Sequence, residues 1–457
     1  MCSNGPKKRA LLSLLLLAVV VCCGHVALHA QATLLLEEPY SYDGAFAGTG
    51  HSAVYLARVC AASPVVLRRC GPGERGAVIS RYHGIAGYDW MAIPYIPYLY
   101  AVERADQIPL YADTKLVGFL REKYLAQVKG ALPEVAIDST PRAPWYELAG
   151  SAYDRTLYGF QFETTPEQDD ALILKLNSAP NREAYNLVKR NCADFVREII
   201  NFYYPKAVHR SVVEDLGVTT PKQAAKTLVR YSMRHPGMQL SSYIVPQVPG
   251  TKRSKPLHGV LDSVLMAKKY MMPLMLLHPL MAGGAEVAYL AAWRFQPSRD
   301  ALVFDPAGEM ESPLQASQRR RYQELLRAMK RDQLEGAPSA KEWPRLQAAA
   351  EAALDDSGRP ILQMTAPDGE GTIEVGLCRD NVLQTGAPPE LIQQLLVSRL
   401  QSQLERSRTA RTSESTLAAD WDLLQTLVLQ SQRAHGQAEA EPAPTPAGMQ
   451  FQHVSRH

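Results

Sequence analysis

Residues 191–203 constrain this chain more than any other stretch. Asn191 is a helix-capping residue, and Asp194 stands three positions on, where a capping box needs its second member. Cys192, Phe195, Val196, Ile199, Ile200 and Tyr203 then recur at helical spacing and form one apolar stripe. The stretch predicts an amphipathic helix that must lie on a core, with Cys192 in its first turn on the inward face. The unpaired N–H groups and the dipole at that end favour negative charge, so a thiol there ionises more readily. Cysteine hydrolases hold their nucleophile in this way. The competing reading is a buried cysteine that packs as a small hydrophobe.

The 457 residues leave room for two or three domains. A composition of 46% hydrophobic and 21% charged residues is that of globular protein. A formal net charge of +3 gives no electrostatic case for nucleic acid or a polyanionic substrate. At the start, Lys7, Lys8 and Arg9 precede an apolar run over residues 11–21, and Ala30-Gln31-Ala32 follows as a small-x-small site. Residues 1–32 therefore read as a secretory signal cut after Ala32, the apolar run being short for a membrane span. Export favours disulfides. Cys60 and Cys70 flank a short loop and are the candidate pair, which leaves Cys192 free; Cys378 has no evident partner.

Residues 48–60 alternate as a strand that is apolar on both faces, which predicts a central position. His51 lies near its start, just after a glycine-rich turn. A second strand is expected over 76–85, with His83 near its end, and a third over 157–163. Residues 33–47 read as an extended lead-in. The Tyr- and Pro-rich run 90–111 suits a strand edge or cleft wall, not a helix interior. Helices are expected after Asp113, Thr165 and Thr220; the last two carry Thr-Pro-x-Gln start signals.

The apolar, Met-rich stretch 264–293 is interrupted by Lys268, Lys269, Pro273, Pro279 and Glu286. It is expected to form buried or surface-seeking helices, because spanning would bury charge. Beyond it, helices are expected over 315–333, 342–355, 388–406 and 416–432, with a hairpin near 359–380 turning at Ala366-Pro-Asp-Gly-Glu-Gly371. The basic run Arg319-Arg-Arg321 reads as a solvated helix face. Residues 433–457 are Ala/Pro/Gln-rich and are expected to be disordered.

A thiol hydrolase needs a base within hydrogen-bond reach and a third polar group to orient it. His51 is the candidate base. The histidines show no zinc-ligand spacing, and there is no nucleotide-binding glycine pattern and no Gly-x-Ser-x-Gly elbow. No metal and no cofactor are expected.

The order is informative: a Gly50-His51 strand comes first, and the Asn191-Cys192-Ala-Asp-Phe-Val196 helix start follows roughly 140 residues later. This resembles the circularly permuted NlpC-type papain-like superfamily, which includes lecithin:retinol acyltransferase-like enzymes and bacterial envelope hydrolases. Tyr55 and the Tyr185-x-Leu187 lead-in belong to the same pattern, which covers residues 44–204. The resemblance implies a catalytic Cys192–His51 pair and a polar orienter on the next strand. His83 is the first candidate for that orienter, with Ser80, Tyr82 and Asp89 as alternatives. Asp194, two positions after the cysteine, is expected to cap the helix.

These readings define an α+β protein. A signal at 1–32 precedes a permuted papain-like catalytic domain, an antiparallel sheet packed on helices, at 33–235. Connecting helices at 236–300, a mostly helical region at 301–432 and a tail at 433–457 follow. The expected activity is that of an exported cysteine hydrolase or acyltransferase of the periplasm or cell envelope. Its substrate would be a cell-wall peptide amide or an acyl lipid, with a membrane surface as a further contact. The rival is a silent papain-like module that tethers envelope components, its C-terminal half binding an unidentified protein. No nucleic-acid partner is expected.

Overall fold

The computed structural model describes residues 30–40, 49–132, 145–211, 215, 217–257, 295–306, 310–330, 347–366, 369, 371–407 and 412–440. The fold is α+β. In chain order it begins with β1 (Ala30–Glu37), β2 (His51–Leu56), β3 (Val59–Ser63), β4 (Val66–Arg69), β5 (Ala77–Arg81) and β6 (Trp90–Pro94). Helices α1 (Tyr95–Tyr100), α2 (Thr114–Gly130) and α3 (Ser151–Asp154) come next, then β7 (Leu157–Thr164). Helices α4 (Pro166–Ser178), α5 (Cys192–Tyr203) and α6 (Pro221–Ser232) precede β8 (Ser241–Val245). The remainder is β9 (Leu302–Phe304), β10 (Met310–Glu311), α7 (Ala316–Met329), β11 (Glu351–Leu354), β12 (Pro360–Thr365), β13 (Thr372–Gly376), α8 (Pro389–Arg406) and α9 (Glu414–Ala440).

One eight-stranded sheet, in the order β10-β9-β8-β7-β1-β2-β5-β6, organises the molecule. Its pairs are antiparallel except β8 with β9, which run parallel. The Leu34-Leu35-Leu36 run makes β1 a buried central strand, because a strand covered on both faces has no polar side to show. It pairs along its whole length with β7, and from Ala32 onward with β2. The lead-in is thus the middle of the sheet. The cleavage boundary placed after Ala32 falls inside this strand, where Ala32 is fully buried between Leu56 and Phe162.

Each face of the sheet has its own core. Leu34 and Leu36 of β1, with Val54 and Leu56 of β2, meet Phe195, Val196, Ile199 and Ile200 of α5 and Leu228 of α6. On the other face Leu35, Ala53 and Val78 meet Tyr98 of α1 and Leu120 of α2. That second core runs on without a break into Leu362, Leu395 and Leu424 of the C-terminal elements.

Three expectations need correction. The strand over 48–60 is two strands, β2 and β3; β3 pairs with β4 in a small hairpin closed by a Cys60–Cys70 disulfide with Cα atoms 4.9 Å apart. The run after Trp90 is a strand followed by helix α1, with Pro97 inside it. Pro97 is the third helical residue, where no intrahelical acceptor exists for the N–H it lacks. Helix was expected over 342–355, yet Glu351–Leu354 is β11, an edge of a three-stranded sheet with the expected hairpin of β12 and β13. The Met-rich stretch 264–293 lies outside the described residues. Among the described residues no helix is long and apolar enough to cross a membrane.

Candidate active site

The start of α5 is built as its residues dictate. The Asn191 side chain accepts from the Asp194 N–H at 2.9 Å, and the Asp194 carboxylate accepts from the Asn191 N–H at 3.4 Å. Asn191 also donates to the Leu187 and Thr219 carbonyls at 2.9 and 3.0 Å, which ties the helix start to the segments on either side. Asp194 is fully buried and gathers Arg210 at 2.9 Å and the Thr219 hydroxyl at 2.5 Å. Its role is the expected cap, extended into a charged anchor. Arg81 braces the same end from β5. It forks onto Asp89 at 2.8 and 3.0 Å, and its guanidinium lies 5.0 Å from the centre of the Phe195 ring.

Cys192 is brought to the beginning of β2. There the thiol and the His51 side chain act on each other's charge. Cys192 is buried, the whole residue keeping 9% exposure. The chain can turn into β2 at His51 because Gly50 precedes it with φ 73°. A Cβ there would stand 2.1 Å from the Glu37 carbonyl oxygen, so only glycine fits.

The partner of His51 on the neighbouring strand is Ser80, whose hydroxyl lies 2.9 Å from Nε2. The same hydroxyl donates to the Ser52 carbonyl at 2.9 Å. A serine has one proton to give, so it accepts from the Nε2–H of His51. The imidazole tautomer is thereby set, and Nδ1 is left for the thiol. Tyr82 covers the ring, stacked with centroids 5.5 Å apart and planes at 24°.

The structure does not bring His83 to His51. β2 and β5 pair with Val54 opposite Ile79, so Val78, Ser80 and Tyr82 share the face of Ala53 and His51. His83 has the wrong parity and lies beyond the end of β5, where its ring packs on Tyr185 with centroids 4.8 Å apart. Asp89 is held by Arg81 and by Arg190, the latter at 2.7 Å. Tyr55, on the same face of β2, stacks on Tyr95 at 4.0 Å between ring centres.

The electrostatics favour a charged pair. Burial alone pushes the Cys192 thiol up; the charge and hydrogen bond of His51, with donation from Ser52, outweigh it and leave the thiol below its ordinary range. Burial pulls His51 down, but the Cys192 sulfur and Glu37 raise it against Arg155, and it ends at about 8. Ser52 was not singled out from sequence. It is fully buried, its hydroxyl has no hydrogen-bond partner, and it lies near enough to Cys192 to help hold the thiol down. Tyr185 is near the site, its phenol raised by burial and then by the nearby Cys192 charge.

The other free cysteine, Cys378, is buried, and burial pushes its thiol far up, as expected for a packing residue. Among the described residues the cluster with metal-ligand spacing is Cys60, Cys70 and Glu74, and its two sulfurs are committed to the disulfide. No family model matches the chain, and no curated protein or solved structure matches it significantly.

Proposed function

We propose that this protein is an exported thiol hydrolase or acyltransferase with a permuted papain-like catalytic domain. One observation carries the reading: a helix-start thiol, lowered from its ordinary range, lies beside a strand histidine whose tautomer a buried serine sets. The basic start, the apolar run that follows it and the disulfide support export.

In this mechanism the Cys192 thiolate attacks a carbonyl carbon, and the π electrons move onto oxygen. The oxyanion forms near the positive end of α5, with the unpartnered Ser52 hydroxyl close by. The protonated His51 gives its proton to the leaving nitrogen or oxygen as that bond breaks, leaving an acyl-thioester. Water or an acceptor hydroxyl or amine then loses a proton to His51, attacks the thioester and expels the thiolate. Each step uses a group already placed.

The substrate is a peptide amide of the cell wall or an acyl lipid at a membrane surface. Leu187 and Val188 lean the reading towards the lipid. They are 59% and 51% exposed on the short turn that leads into Asn191, and that turn is fixed by hydrogen bonds from Val188 and Lys189 to the Asn186 side chain. An exposed apolar tip held rigid beside a reactive thiol suits an acyl chain. A catalytically silent tethering module is the second reading, favoured by the low exposure of Cys192.

The test uses the full chain with Cys192→Ala and His51→Ala. Amide and acyl-ester substrates are assayed beside iodoacetamide labelling mapped to Cys192. The proposal expects turnover to vanish in both variants and labelling at neutral pH to fall in His51→Ala. Equal turnover in the variants, or a Cys192 that resists labelling across the pH range, refutes the enzyme and leaves the silent module.

A further inference from the structure

β1 ends on Glu37, directly across the strand pair from His51. Leu35 and Ala53 point to the same side, so the Glu37 and His51 side chains are neighbours on one face of the sheet. Glu37 is fully buried. Its Oε1 accepts the Tyr98 hydroxyl proton, and its Oε2 lies 3.3 Å from a guanidinium nitrogen of Arg155 with no hydrogen bond formed. Arg155 is buried too, with its guanidinium carbon 4.2 Å from the centre of the Tyr40 ring.

None of these groups enters the reaction proposed above. The surrounding face is apolar, with Leu35, Ala53, Val78 and Met91 fully or nearly fully buried. An ion pair buried in such a place is commonly matched or bettered in stability by apolar side chains of similar size. Fold stability alone is therefore a poor account of a glutamate here. What distinguishes the spot is the imidazole beside it.

We infer that Glu37, with Arg155 as its counter-ion, is a positioning residue of the Cys192–His51 pair, a buried carboxylate that favours the imidazolium over the neutral ring. The inference rests on the reading of that pair given above. Around His51 stand Cys192 from α5, Glu37 from β1, Arg155 just before β7 and Tyr82 after β5; Glu147, in the turn Trp145–Leu148, acts on Arg155 and Tyr82. Burial pulls the ring down, the Cys192 sulfur and then Glu37 hold it up, and Arg155 opposes them. The neutral Ser80 fixes orientation without changing this balance of charge. A thiolate drawn to its nucleophilic state needs a cation that keeps its proton, and Glu37 supplies the second negative charge that secures it.

The test reads His51 itself and needs no substrate. Full-length protein with ¹³C at the histidine Cε1 position is titrated by NMR, and the His51 signal is assigned by its loss in His51→Gln. Wild type is expected to titrate near 8. Glu37→Gln keeps the Tyr98 hydrogen bond and removes the charge; its midpoint is expected to fall by about half a unit or more. Glu37→Gln with Arg155→Met, which removes both charges, is expected to recover most of that fall. Glu37→Asp, which keeps the charge, is expected to stay above the double variant. A purely structural role would leave the midpoint in place and compound the damage in the double variant.

A wild-type midpoint near 8 that Glu37→Gln leaves unmoved overturns the inference while sparing the Cys192–His51 pair. If Glu37→Gln does not fold, equal midpoints in Glu37→Asp and the double variant overturn it instead. A wild-type His51 with an ordinary midpoint overturns the pair itself, and the inference with it.

Discussion

Ser80→Ala isolates the element of the site that sets the imidazole. The Ser80 hydroxyl makes two hydrogen bonds of 2.9 Å, accepting from His51 and donating to the Ser52 carbonyl. With a neutral ring, the bond to His51 is worth about 1 kcal/mol, a factor of roughly five. In the charged resting pair the ring is protonated, and a bond to a charged donor is worth about 1.5–3 kcal/mol, so its loss lowers the share of the reactive pair. Alanine should therefore lower turnover by roughly ten- to a hundredfold. His51 is only half-buried, so water can take up part of the lost bond and the smaller figure is favoured. The loss should appear in the acylation rate, read as the burst of leaving group from an activated acyl ester. Ser80→Thr keeps the hydroxyl and should retain most of the rate. A urea midpoint on each variant separates a loss of fold from a loss of alignment. Full acylation in a folded Ser80→Ala protein would show that the serine does not hold the base, and the tautomer argument would fail.

Three further outcomes follow from the same geometry. With the thiol lowered and His51 raised to about 8, the charged pair exists between the two midpoints; acyl transfer should decline above about pH 8 as the ring loses its proton, while iodoacetamide labelling, which needs only the thiolate, should not. Replacing Cys60 and Cys70 by alanine opens a crosslink of sequence separation 10, worth about 2–3 kcal/mol on chain entropy, and should lower the urea midpoint without changing Cys192 labelling. Asp194→Asn leaves Arg210 beside a neutral group and should cost about 2–3 kcal/mol, the guanidinium being partly solvated; because Asp194 anchors the helix start, Cys192 labelling at neutral pH should slow as well.

The parts of the fold legible in the sequence are those with strong local grammar. Thr165, Thr220, Asp113 and Asn191 each cap a helix where a side-chain oxygen precedes an apolar period, because that bond is made within four residues and needs no distant partner. The places where local grammar failed were decided by partners far along the chain. The sequence around Glu351–Leu354 carries helix formers, yet its backbone hydrogen bonds go to β12. β9 and β10 extend the main sheet from beyond residue 300, a pairing that no local pattern announces. The buried face they help to cover joins the two halves into one core, so a boundary drawn on the change in composition does not coincide with a break in packing.

The site divides along the same line. Cys192 could be read because a cap and an apolar stripe place it, and His51 because a glycine-turned strand presents it. The orienter was open among four residues, although strand parity narrows them. If His51 and its partner lie on adjacent antiparallel strands and touch, they share a face, and residues on that face of β5 are even-numbered: Val78, Ser80 and Tyr82. His83 drew attention through its chemistry, but no imidazole can cross a sheet to meet another. Register also explains why Ser52 and Glu37 escaped notice. Each is placed by which residue stands opposite it on another strand, Leu36 for Ser52 and His51 for Glu37. Ser52 faces the helix and can donate to the sulfur; Glu37 faces away from it and can act only on the ring. The two strands thus deliver a donor to the nucleophile on one side and a counter-charge to its base on the other. The thiol meets His51 because α5 starts beside the start of β2.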